Sequence, residues 1–116
     1  MEIKTTKYNS WIDVIDYTLI EYGRNLNDLN PSKETLASAI DLAKALQSGN
    51  LPPPTHVTIG EDCSIIFESI EQDNVYEAIE IYGSDIDTVV FINDEMVEYN
   101  SYVLKNGKPI MKEKRI

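Results

Sequence analysis

Two rhythms divide this chain. Up to about residue 50, apolar residues recur three and four positions apart, the spacing of one helical face; from His56 onward Val, Ile, Phe, Tyr and Thr gather in short runs between turn residues. In "NSWIDVIDYTLIEYG", Ser10 with Asp13 three residues later makes a capping-box-like start. Trp11, Ile15, Leu19 and Tyr22 fall along one stripe of the predicted helix, and Gly23 supplies a stop. "NPSKETLASAIDLAKALQSGN" predicts a second helix, with Asn30 as cap and Pro31 at the first helical position. Its face is Leu36, Ala39, Ile40, Ala43 and Leu46, and Gly49 lies past its end. "LPPP", Leu51 to Pro54, has no means of continuing a helix and reads as a stiff extended connector.

Beyond the connector the runs predict strands over His56 to Ile59, Ser64 to Ile70, Val75 to Tyr82, Ile86 to Asn93 and Val97 to Leu104, separated by "GED", "EQDN", "GSD" and "NDE". Asn106-Gly107 is a two-residue hairpin signal and implies a last strand near Pro109 to Lys112. In the third strand, period-two alternation puts Val75, Ile79 and Ile81 on a core face and Tyr76, Glu80 and Tyr82 on a wet one. The expected fold is α+β: two N-terminal helices packed on one face of an antiparallel meander sheet of five to six strands. A single domain, 1–116, is expected, divided into a helical half (1–50), the proline linker (51–54) and a sheet half (55–112). The basic "MKEKRI" is expected to be an exposed tail.

Charge changes the picture most. The net charge is -10, and it is unevenly placed: residues 56 to 104 hold twelve acidic residues and no Lys or Arg. Residues 1–55 are nearly balanced and residues 105–116 are basic. Such a block repels nucleic-acid phosphates and anionic lipid heads, so neither direct nucleic-acid binding nor membrane binding is expected. Like charges facing one another across strands destabilise a sheet. An undiluted acidic sheet therefore suggests a surface shaped to meet a basic partner.

The order of features resembles a loose group of small uncharacterised bacterial proteins. The residues that carry the resemblance are "YG" at Tyr22 and Gly23, "PS" at Pro31 and Ser32, the helix "LASAIDLAKAL", and "LPPPTHVTIGEDCSIIFES". In that group a W-x-G-Y-G-A-like start and a P-S-x-x-A-L helix lead through a proline-rich link into a D-G-G-I-x-F-E-W strand. The resemblance spans roughly residues 20–70; here "EDCS" (Glu61 to Ser64) replaces D-G-G, and Ser69 replaces the strand's Trp. It implies a fold and carries no functional residue.

Catalytic signatures are missing. With Cys63 and His56 the only cysteine and histidine, a conventional zinc centre lacks ligands. A lone thiol fits a reducing compartment, and the N-terminus has no uninterrupted apolar stretch, so the cytoplasm is the expected location. A Cys63–His56 nucleophilic pair is conceivable, but a packed thiol and a strand-start histidine are the ordinary readings. "DIDTVVFINDEM" fails the calcium-loop pattern, with Val89 and Val90 where a ligand and the turn glycine belong. The motifs G-x-x-x-x-G-K-[ST], G-x-G-x-x-G and G-x-S-x-G do not occur.

What remains is binding. Tyr supplies rigid contact area with a polar tip, and flanking carboxylates suit a partner rich in Arg. The expected partner-binding residues are Glu68, Tyr76, Glu80, Tyr82, Asp85 and Asp87, with no catalytic, cofactor-binding or metal-binding residue and no cofactor. The expected role is that of a small acidic, non-enzymatic protein that docks on and inhibits the basic surface of a nucleic-acid-handling protein, in the manner of an antitoxin, an immunity protein or a phage anti-defence protein. Two alternatives stand beside it: a nucleic-acid mimic competing directly with DNA or RNA, and a small carboxylate-based enzyme or ligand-binding domain.

Overall fold

A computed structural model describes residues 8–24, 31–71 and 73–114. Six strands follow the helices in chain order: β1 His56–Ile59, β2 Ile65–Glu71, β3 Val75–Tyr82, β4 Asp85–Ile92, β5 Glu95–Lys105 and β6 Lys108–Lys114. They form one sheet in the order β1-β2-β3-β4-β5-β6, every neighbouring pair antiparallel. The structure is thus the expected α+β meander with helices on one face. The basic C-terminal segment differs from expectation: through Lys114 it is the continuation of β6 rather than a tail. Its backbone is held there by pairing with β5, from Lys105↔Lys108 to Asn100↔Lys114.

Turn chemistry explains the tight meander. Asn93 and Asp94 both take positive φ, as do Asn106 and Gly107, and Gly83 sits at φ 60 between β3 and β4. Two-residue turns of this hand match the right-handed twist of the strands they join.

The first helix opens with an α-helical turn over Trp11–Val14, loosens to π-helical pairing over Ile15–Leu19, and returns to α-helix over Ile20–Arg24. Ser10 Oγ accepts from the Asp13 amide at 3.4 Å, while the Asp13 carboxylate takes the Asn9 amide at 2.9 Å, a capping box shifted one residue at its return bond. Extra residues in the π turn widen the buried stripe, so Val14 and Thr18 join Trp11 and Leu19 inside, with Ile15 and Tyr22 half-buried. Gly23 does not stop this helix, which runs on to Arg24. Its missing side chain instead lets the two helices close together, since a Cβ there would lie 2.9 Å from Leu36 Cδ2.

The second helix runs over Lys33–Ser48. Its cap is Ser32, whose Oγ accepts from the Thr35 amide at 3.1 Å; Pro31 precedes the helix rather than opening it, and Asn30 lies outside the described residues. Among the described residues no helix is long and apolar enough to cross a membrane.

Two contacts tie the first helix to the second helix and the connector, and two more seat the helices on the sheet. The Trp11 amide donates to Gln47 Oε1 at 2.9 Å and its indole N–H to the Leu51 carbonyl at 3.0 Å. The Gly83 amide donates to Thr35 Oγ1 at 2.8 Å, and the Tyr22 hydroxyl to the Val57 carbonyl at 3.4 Å. Beneath them Ile65, Phe67, Ile81 and Ile86 meet Trp11, Val14, Leu19, Ala39, Leu42 and Ala43 in a closed core, with the Trp11 and Phe67 rings edge to face at 5.1 Å.

Candidate binding face

Register decides which side chains share the other face. β2 and β3 pair Ile65↔Ile81 and Phe67↔Ile79, both on the helix side, so the intervening Ile66↔Glu80 and Glu68↔Ala78 pairs point away. β3 and β4 continue this with Ile81↔Ile86 inside and Glu80↔Asp87, Tyr82↔Asp85 and Tyr76↔Phe91 outside. All six residues expected from sequence, Glu68, Tyr76, Glu80, Tyr82, Asp85 and Asp87, therefore lie on the face the helices do not touch.

Each of the four carboxylates expected from sequence, Glu68, Glu80, Asp85 and Asp87, has a donor. The Tyr76 hydroxyl donates to Glu68 Oε2 at 2.6 Å, Ser64 Oγ to Glu80 Oε2 at 2.8 Å, and Ser101 Oγ to Asp87 Oδ1 at 2.7 Å. These three donors are neutral, so they fix the carboxylates in place without cancelling their charge. Asp85 differs: Lys112 of β6 bridges it at 3.0 Å, bringing a cation from the basic C-terminal segment onto the acidic face. Both partners are well exposed, and a pair of this kind contributes about 0–1 kcal/mol.

The Tyr76 phenol is pushed up to about 12, chiefly by burial and then by its hydrogen bond to the Glu68 carboxylate and by that group's charge. Asp62, in the β1–β2 turn, is held below the usual carboxylate range by hydrogen bonds from Ser64.

The acidic block is divided more widely than the face alone. Glu77 and Glu98 lie on the helix side of the sheet, paired in register with Val90 between them. Glu61, Asp62, Asp73 and Asp94 lie in turns. The concentration of charge along the chain is thus sorted by the pleat into two faces and the hairpin tips.

The open face is also more apolar than a wet face should be. Ile66, Val89, Phe91, Tyr99 and Val103 line it half-buried, and Ile70 and Met96 are exposed. Phe91 packs against Tyr76 with ring centroids 6.1 Å apart. Alternation predicts polar residues here, but "VVFI" (Val89 to Ile92) carries apolar side chains to both faces, which was the available signal. Met96 joins the face through a β-bulge: Val90 pairs with Glu98 but Phe91 with Met96, leaving Val97 as the extra residue.

The remaining candidates separate. His56 begins β1 and shares a hydrogen bond with Thr55 Oγ1 at 3.1 Å, whereas Cys63 sits beyond the other end of β1, in the turn at φ 64. They do not form a pair. Among the described residues no group of three or more His, Cys, Asp or Glu side chains is arranged to hold a metal ion.

The arrangement defines a helix-backed meander whose second face is open, acidic and studded with aromatic and aliphatic side chains. No protein-family model, curated protein or solved structure matches this chain.

Proposed function

We propose that this protein is a non-enzymatic inhibitor that lays its open sheet face on a basic surface of a nucleic-acid-handling protein in the cytoplasm and blocks it. The observation that carries the reading is the set of Glu68, Glu80 and Asp87 on one uncovered face, each held by a hydroxyl rather than by a cation. Anions fixed in this way attract a basic surface at long range and set its orientation. Tyr76, Tyr82 and Phe91 among them supply the area and stacking partners that Arg-rich surfaces use. Such a role asks for no cofactor and for no reaction at Cys63 or His56.

The test is capture of partners from the native host, followed by calorimetry with the purified partner. Wild type is compared with the triple variant Glu68→Lys, Glu80→Lys, Asp87→Lys and with a control reversing the exposed helix residues Asp16, Glu21 and Asp41. The expected result is a basic partner whose affinity falls at least about tenfold for the sheet variant only, with a loss that shrinks as salt is added. Equal binding by the sheet variant, or a partner without a basic surface, would end the proposal. Competition by DNA or RNA for the same partner would identify the block as direct occupation of its nucleic-acid channel.

A further inference from the structure

The open face is graded along its strands. Toward the Gly83 turn, one register row across β2 to β5 reads Ile66, Glu80, Asp87 and Ser101. The next row holds Glu68 at its β2 end and then Ala78, Val89 and Tyr99. The third, nearest the Asn93-Asp94 turn, is Ile70, Tyr76, Phe91 and Met96, and it carries no charge. Anions are thus gathered in one half of the face and aromatic and aliphatic side chains in the other.

Two features say what kind of element covers it. β4 sends apolar side chains to both sides through "VVFI", the composition of a strand covered on both faces. β2 to β5 are all interior strands, so their backbone groups bond to neighbours in the plane of the sheet and none faces outward. A segment lying on such a face has to satisfy its own backbone, which a helix does and a single extended strand does not. Charge and apolar area follow one another along the strands, so a helix meets both only by lying along β3 and β4. From Tyr82 to Tyr76 that path is about 20 Å, the length of a helix of about 13 residues.

Resting on the docking of this face on a basic protein, we infer that the occupant is one amphipathic helix of the partner, lying along β3 and β4. Its Arg or Lys side chains occupy the half over Glu80 and Asp87, and its apolar side chains the half over Tyr76 and Phe91. Tyr82, exposed at the charged end, gives an Arg a ring to stack on. Ile70 and Met96, exposed on either side of the apolar end, flank the helix there. An acidic helix of the same shape is rejected by like charge.

Calorimetric titration of the full chain with synthetic, terminally blocked peptides of about 16 residues tests this. The first peptide carries Arg at spacings of three and four in one half and Leu at the same spacings in the other, with Ala elsewhere. A second mixes the same Arg and Leu evenly along that stripe, a third has proline at its centre, and a fourth has Glu for Arg. The expected result is saturable binding of the first, at least about tenfold weaker binding of the second and third, and none of the fourth. Amide shifts on binding should concentrate in β3 and β4. Ile70→Ser with Met96→Ser should weaken the first peptide about tenfold with its salt dependence intact, whereas Glu80→Gln should weaken it and flatten that dependence. Equal binding of the first three peptides, preference for the fourth, shifts confined to the helices, or no saturable binding of any overturns the inference. Equal binding of the first three that is nevertheless lost in the variant Glu68→Lys, Glu80→Lys, Asp87→Lys would remove the helix and leave the basic-surface reading in place, which tells the two failures apart.

Discussion

Glu80 of β3 and Asp87 of β4 stand directly opposite each other on the open face, two carboxylates in register with an ion pair to neither among the described residues. Ser64, just before β2, holds the first and Ser101 of β5 the second, each through a neutral hydroxyl. The chain maintains a like-charge pair where sheet stability favours opposite charges.

Glu80→Gln should therefore stabilise the fold. The amide keeps an acceptor for Ser64 while removing the repulsion, a gain of about 0.2–1 kcal/mol by urea denaturation at low salt, shrinking as salt rises. Destabilisation would show that the pair is not repulsive in its setting.

Tyr76 gives a pH signature. Its phenol is raised from 10.0 to about 12, so the folded protein keeps a proton that the unfolded chain releases earlier. Stability from this group is complete below pH 10.0 and is lost as pH rises toward about 12. In an ultraviolet titration of the native protein, a tyrosine transition near pH 12 should be seen and should be missing from Tyr76→Phe. Glu68→Gln should bring its transition down, because the acceptor charge is removed, but not fully, because burial is the larger cause.

Thr35 is the joint between the second helix and the sheet. Buried at 1% exposure, its Oγ1 accepts from both the Gly83 amide at 2.8 Å and Ser32 Oγ at 3.0 Å. Thr35→Val preserves shape but leaves the Gly83 N–H without its acceptor, at an expected cost of about 1–3 kcal/mol in chemical denaturation. Thr35→Ser, which retains the oxygen, should recover most of that loss.

Gly60 controls the open face from its edge. A Cβ at Gly60 would fall 2.5 Å from Ser64 Oγ, the hydroxyl that holds Glu80. Gly60→Ala should cost about 1–3 kcal/mol through overpacking, measured by thermal or urea unfolding. In a Ser64→Ala background the same substitution should cost less, and strict additivity of the two would rule out the clash as the cause.

How far the sequence could be read depended on what each signal reports. The second helix and all six strands were legible to within about two residues, because period and turn chemistry are local properties of the chain. Asn93-Asp94 and Asn106-Gly107 dictate their own turns wherever the strands go. Gly23 and the Pro31-Ser32 boundary were misread for the same reason. Whether glycine ends a helix or admits a neighbour is settled by Leu36 on another element, and which polar residue caps is settled by the bond to Thr35.

The binding face was half legible. Alternation alone places Tyr76, Glu80 and Tyr82 together within β3, and the hairpin registers extend that face to Glu68, Asp85 and Asp87. Two other features depend on which residues meet across strands. They are the apolar residues between the carboxylates and the Lys112 bridge to Asp85.

By itself the sequence determined the order and kind of elements, the one-sided placement of the helices and the absence of cations from the middle of the chain. Only the tertiary structure decided how that negative charge is shared out. A period-two strand sends successive side chains to opposite faces, and pairing with neighbours, including a one-residue bulge, fixes which carboxylates end up side by side. Composition is a property of the chain, but an electrostatic surface is a property of the register.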